Sequence, residues 1–145
     1  MESGVGISRS VLDRLLAEAA QSPSAEICGL LFGDDTAISA AIACRNVAAD
    51  PSIAFEIDPA ALFAAHKAMR AGGPRVIGHY HSHPTGLAAP SAVDAAAAIG
   101  GELWLIIAGG EATLWRAKRD GTGLERFDRV PVSLTAPCAA AAASP

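Results

Sequence analysis

Two hydrophobic rhythms run along the chain. In "ISRSVLDRLLAEAAQSP" the apolar positions Val11, Leu12, Leu15, Leu16 and Ala19 recur at three- and four-residue steps, the period of one helix face. Pro23 follows and cannot continue that pattern. "EICGLLFG" is a short apolar run ending at the turn signal "GDD", and "TAISAAIACRNVA" reads as a second strand, so residues 26–48 are expected to form a hairpin. "SIAFEI" alternates as a short strand does. "DPAALFAAHKAMRAGG" opens with Asp58 as a cap and Pro59 at the first helical position, and closes on Gly72 and Gly73. These signals mark a second helix.

"RVIGHYHSH" reads as a strand and "SAVDAAAAIGG" as a short helix. "ELWLIIAGG", "ATLWRAK" and "LERFDRVPV" read as three late strands joined by glycine-containing turns, with Trp104 and Trp115 as core or sheet-face residues. The order predicts an α+β fold, a curved mixed or largely antiparallel sheet flanked by helices. A chain of 145 residues suggests one domain, placed at residues 1–134. The Ala- and Pro-rich segment 135–145 is expected to be a disordered tail.

Composition narrows the function classes. The chain is 51% hydrophobic and 18% charged, which suits a folded core. Its net charge is -4 and its eleven Lys and Arg form no block, which argues against nucleic acid as a partner. No apolar run approaches the ~20 residues that span a bilayer. The segment "MESGVGISRS" lacks the basic and apolar parts of a secretion signal, so a cytoplasmic location is expected. Cys28, Cys44 and Cys138 are odd in number and form no C-x-x-C pair, so free thiols are expected.

Chemistry concentrates in "HYHSHPTGLAAPSAVD", residues 79–94, which holds three of the four histidines. Side chains at i and i+2 of a strand share a face, so His81 and His83 project together, roughly 6.6 Å apart along the strand. That separation lets two imidazoles converge on one ion with Zn–N near ~2.1 Å. His79 lies roughly 13 Å from His83 by the same rise, and is assigned to the site wall. A catalytic zinc takes three protein ligands and keeps one open position. "PSAVD" supplies the third: Pro90 and Ser91 read as a helix start, and Asp94 sits on its first turn at capping-box spacing. Taken singly, these residues have plainer readings. An H-x-H pair alone is weak, Ser91 and Asp94 alone mark a helix N-terminus, and Glu26 alone is a strand-edge carboxylate. Cys28 reads as a small buried residue, and His66 as a histidine with no chemical role.

Together the residues resemble a known signature. "HSHP", seven residues, "S", two residues, "D" is similar to the pattern of the JAB1/MPN/Mov34 metalloproteases, also called JAMM proteases. His81, His83, Ser91 and Asp94 fall on it without a gap, and "AEICGLLFG" matches the segment that carries the family's upstream glutamate on a strand, here Glu26. The resemblance covers roughly residues 7–115 and is to the compact prokaryotic type. It implies the MPN fold, a cytidine-deaminase-like arrangement, and one Zn²⁺ held by His81, His83 and Asp94. It further implies Glu26 as the proton acceptor and donor, and Ser91 as a stabiliser of the oxyanion. The implied activity is zinc-dependent hydrolysis of a peptide or isopeptide bond at the C-terminus of a ubiquitin-like or sulfur-carrier protein, or of its C-terminal adduct. A non-catalytic MPN scaffold that binds a protein partner is the alternative. Gly78, Thr85, Gly86, Ala88 and Ala89 are small, and are expected to admit an extended Gly-Gly-type tail, with a free strand edge pairing to it.

Overall fold

The central strand of the fold is the one that carries the histidines. In the computed structural model, which describes residues 4–98, 100–118 and 126–135, it is β4, Val76–Ser82. β4 lies between β2 (Cys28–Gly33), its antiparallel neighbour, and β5 (Leu103–Ala108), its parallel one. β3 (Ala37–Cys44) completes the expected hairpin with β2. β6 (Glu111–Ala117) pairs with β5, and β7 (Phe127–Val130) with β6, both antiparallel. Three helices flank the sheet: α1 (Arg9–Ala20), α2 (Pro59–Arg70) and α3 (Ala92–Ala97). The fold is the expected α+β class.

Two strands depart from the sequence reading. β1, Val5–Ser8, precedes α1 where that reading places no strand, and only four residues carry it. The segment "LERFDRVPV" is not one strand. Pro131 has no N–H to give a ladder, and it separates β7 from β8, Val132–Thr135. The Pro131 carbonyl accepts from Val5 N at 2.9 Å, and β8 runs parallel to β1. The sheet order is β7-β6-β5-β4-β2-β3-β1-β8. Its two edge strands are therefore neighbours in sequence, so the sheet must curl until its edges nearly meet. Thr135, read as the start of the tail, is the last residue of β8. The rest of that tail, with Cys138, lies outside the described residues.

Strand periodicity sorts the core onto two faces. Val11, Leu12, Leu15, Leu16 and Ala19 of α1 pack against Leu31, Tyr80, Leu103, Leu105, Ile107 and Leu114 on one face, as their helical spacing predicts. Gly29 belongs to this packing. A Cβ there would meet the Tyr80 ring at 2.4 Å. The opposite face carries Cys28, Leu30 and Phe32 under α2, and Trp104 under α3. His81 pairs across β2 with Cys28, so it belongs to this second face. Cys28 is buried, and burial pushes its thiol up to about 12. Cys28 and Cys44 face each other across the hairpin as free thiols.

The segment 52–57, expected as a strand, forms none. A single bridge joins Asn46 to Ile57. The Asn46 side chain does the work of a partner strand. Its Oδ1 accepts from Ala48 N and Glu56 N, each at 3.0 Å. Its Nδ2 donates to Ala54 O at 3.1 Å and to Glu26 O at 2.9 Å. All four bonding positions of one amide are used, so the loop needs no ladder. Asn46→Ala should lower stability by about 2–3 kcal/mol, because several backbone groups lose partners at once. Urea denaturation measures this. A loss below about 0.5 kcal/mol would show that water replaces the amide at little cost.

Candidate metal centre

The candidate site forms where β4 ends. His81 is fully buried and is held by the ladders to β2 and β5. His83 lies one residue past β4, and its N–H donates to Ile107 O at 2.8 Å, so the path continues along β5. Ser91 caps α3. Its hydroxyl accepts from Asp94 N at 3.1 Å, while an Asp94 carboxylate oxygen accepts from Ser91 N at 2.9 Å. This reciprocal box is the one expected from the Ser-x-x-Asp spacing. It also fixes the Asp94 carboxylate against the two rings.

Three donor groups meet there. His81 Nε2 and His83 Nε2 are 3.0 Å apart. Asp94 Oδ1 is 3.2 Å from His81 Nε2, and Asp94 Oδ2 is 3.1 Å from His83 Nε2. Ligands ~2.0–2.1 Å from a tetrahedral ion sit roughly 3.3 Å from one another, close to this triangle. His83 Nδ1 lies 2.8 Å from Leu87 O. A carbonyl only accepts, so that nitrogen carries a hydrogen, and Nε2 is the nitrogen left to face a metal once it has no proton of its own. The His81 ring stacks on Phe55 at 4.2 Å between centroids. Two imidazole nitrogens 3.0 Å apart beside a buried carboxylate call for a shared cation.

Electrostatics agree with that fit. Burial lowers His81 to about 4, against the pull of Asp94, so its imidazole is neutral at pH 7. At His83 burial also acts downward, but hydrogen bonds to Asp94 and to the Leu87 carbonyl outweigh it and raise the pKa. Burial acts upward on Asp94, yet the two histidines and the Ser91 N–H hold its carboxyl far below the usual range. The donor set is two imidazoles and an ionised carboxylate, a combination suited to Zn²⁺.

A second carboxylate stands beside this set. Glu26 is not on a strand, as expected from the sequence, but two residues ahead of β2. Its backbone is fixed on three sides. Glu26 N donates to Pro51 O at 2.7 Å, Glu26 O accepts from Asn46, and the next N–H, of Ile27, donates to Ser82 Oγ at 2.9 Å. A carboxylate oxygen of Glu26 and a ring nitrogen of each of His81 and His83 lie within 4.8 Å of one another. Glu26 is buried, and its Oε1 has no hydrogen-bond partner among the described residues. Burial raises its carboxyl to about 7, with Asp94 adding to the shift and His83 opposing it.

The wider surroundings depart in part from the sequence reading. His79 lies in the wall, as expected, 3.4 Å from Glu102 Oε1 and edge-on to Trp104. Gly78 is not a site residue. A Cβ there would meet Leu103 O at 2.2 Å, so it is glycine to let β4 and β5 pack closely. Gly86 lies against His83, where a Cβ would come within 3.2 Å of that side chain. A cavity of about 580 Å³ adjoins the wall, bounded by Phe55, His79 and Trp104 and roofed by α2 at Leu62 and His66. Asn46, Ser82 and Thr113 were not legible as contributors, because a lone polar residue carries no spacing signal.

Comparison with known proteins follows this geometry. The model of the family described as prokaryotic homologs of the JAB domain matches residues 8–119. A desampylase from Haloferax volcanii is 41% identical over 87 residues, which is 59% of this chain and 63% of that protein. The chain thus matches less than two thirds of that relative's length. A solution structure of a Desulfitobacterium hafniense protein has a TM-score of 0.76 at 29% identity, covering 92% of this chain and 94% of that one. One from Salinibacter ruber has a TM-score of 0.63 at 25% identity, covering 90% and 92%. A JAB1/MPN domain protein from Archaeoglobus fulgidus shares the fold, with a TM-score of 0.55 at 20% identity over 90% and 99% of the two chains. With its expected MPN-type fold and a family match that spans the histidines, the capping box and Glu26, the chain belongs to the prokaryotic homologs of the JAB domain.

Proposed function

We propose that this chain is a zinc-dependent peptidase or isopeptidase that cleaves an amide bond at the C-terminus of a ubiquitin-like or sulfur-carrier protein. The observation that carries the reading is the His81–His83–Asp94 triangle with the Glu26 carboxylate beside it. Similarity to a relative named desampylase supports the hydrolase reading. When bound, Zn²⁺ supplies Lewis acidity toward the scissile carbonyl and a pKa near ~7 for water at the site.

The two carboxylates divide the work by environment. Asp94 touches both imidazoles and is held ionised, which suits a ligand. Glu26 is set further back with a carboxyl raised to about 7 by burial, which suits proton transfer at neutral pH. It takes a proton from the attacking water and returns it to the leaving nitrogen, which departs poorly as an amide anion. The Ser91 hydroxyl already accepts from Asp94 N, so its own proton is left to donate to the developing oxyanion.

The extended tail has a place to lie. Among the described residues β3 has no strand on its β1 side beyond Ile38, and it runs toward Cys44, which pairs with Cys28 near the site. An incoming strand would add there by main-chain hydrogen bonds. A non-catalytic scaffold has no use for a buried carboxylate whose Oε1 finds no hydrogen-bond partner among the described residues, so hydrolysis is the favoured reading.

Glu26→Gln should lower cleavage of a C-terminally extended sulfur-carrier protein by ~10²–10⁴, with zinc still bound one per chain. Full turnover in that variant would remove Glu26 from the mechanism. Treating the wild type with a chelator should abolish cleavage, and added zinc should restore it. Cleavage that survives complete metal removal would overturn the metallopeptidase reading.

A further inference from the structure

The segment Pro84–Pro90 closes over His83, and it has no strand to hold it. Two hydrogen bonds tie it down among the described residues. His83 Nδ1 donates to Leu87 O at 2.8 Å, and the Thr113 hydroxyl donates to Ala88 O, the next carbonyl along. Thr113 is buried in β6, opposite Ile106, which in turn pairs with His81. The Trp115 indole N–H donates to Thr113 Oγ1 at 2.8 Å. A hydroxyl has one proton and two acceptor positions. With the indole occupying an acceptor position, the hydroxyl proton is committed to Ala88 O. Gly86 lies against the His83 side chain, so the segment packs on the residue it hydrogen-bonds.

We infer that Thr113, oriented by Trp115, is a positioning residue of the metal centre. It acts through Ala88 and Leu87 on the carbonyl that sets the His83 tautomer. The carbonyl holds a hydrogen on Nδ1 and turns Nε2 toward His81 and Asp94, the orientation a metal ligand needs. Outer partners of this kind set ring orientation and ligand basicity in metal sites. The inference rests on the hydrogen-bond chain, and also on the metal-centre reading of the site.

The test measures zinc affinity of the purified chain by competition with a chromophoric chelator, together with the ¹⁵N signals of the His83 ring in the zinc-free protein. Thr113→Val should weaken zinc binding by about tenfold and should mix the two His83 tautomers. Thr113→Ser keeps the hydroxyl and should stay near wild type in both readouts. If Thr113→Val does not fold, Trp115→Phe carries the test. It removes the indole N–H while keeping an aromatic ring at the site, and should weaken zinc binding by about threefold. Wild-type protein that binds zinc, with Thr113→Val or Trp115→Phe equal to it in affinity and tautomer, overturns this inference alone. Wild-type protein that binds no zinc removes the metal-centre reading and this inference with it.

Discussion

Two ring nitrogens 3.0 Å apart, both turned toward one buried carboxylate, are the contact around which this protein is arranged. Neither ring can relax away. His81 is locked in the middle of a curled sheet, and His83 is held by a backbone bond to β5 and a ring bond to Leu87. Asp94 is fixed by the same box that starts α3. Burying three such groups costs free energy unless a positive charge joins them. The fold therefore spends stability on a site suited to a cation.

The scaffold then separates two carboxylates that share one small space. Asp94 receives two imidazoles and a backbone N–H and stays ionised. Glu26 Oε1 has no hydrogen-bond partner among the described residues, and burial lifts the carboxyl pKa to about 7. The difference is made by backbone placement. Asn46, Pro51 and Ser82 hold the Glu26 segment ahead of β2, where its carboxylate comes within 4.8 Å of the His81 and His83 ring nitrogens. In the proposed mechanism this difference in surroundings sets the ligand carboxylate apart from the proton carrier.

Much of this was legible in the sequence, for physical reasons that differ by element. α1 and α2 follow from helical spacing and from the Asp58-Pro59 start, because both depend on neighbours close along the chain. The parity of β4 places His81 with Cys28 on one face, and Ser91-x-x-Asp94 fixes the turn that brings the third donor. What escaped depends on distant partners. β1 is only four residues and exists because β3 and β8 flank it. "SIAFEI" alternates like a strand, but the Asn46 side chain takes up Ala54 O and Glu56 N, and Glu56 O is met by the backbone N–H of Val47. "LERFDRVPV" splits because Pro131 sits where the curled sheet hands one edge to the other. Gly78 looks like room for substrate, yet it is room for Leu103.

The central claim is tested most directly by anomalous diffraction at the zinc edge from crystals grown with zinc. The account predicts one peak per chain, bounded by His81 Nε2, His83 Nε2 and an Asp94 oxygen, with Glu26 outside the ligand set. Absence of a peak there, or a peak held by Glu26 with Asp94 turned away, would contradict it.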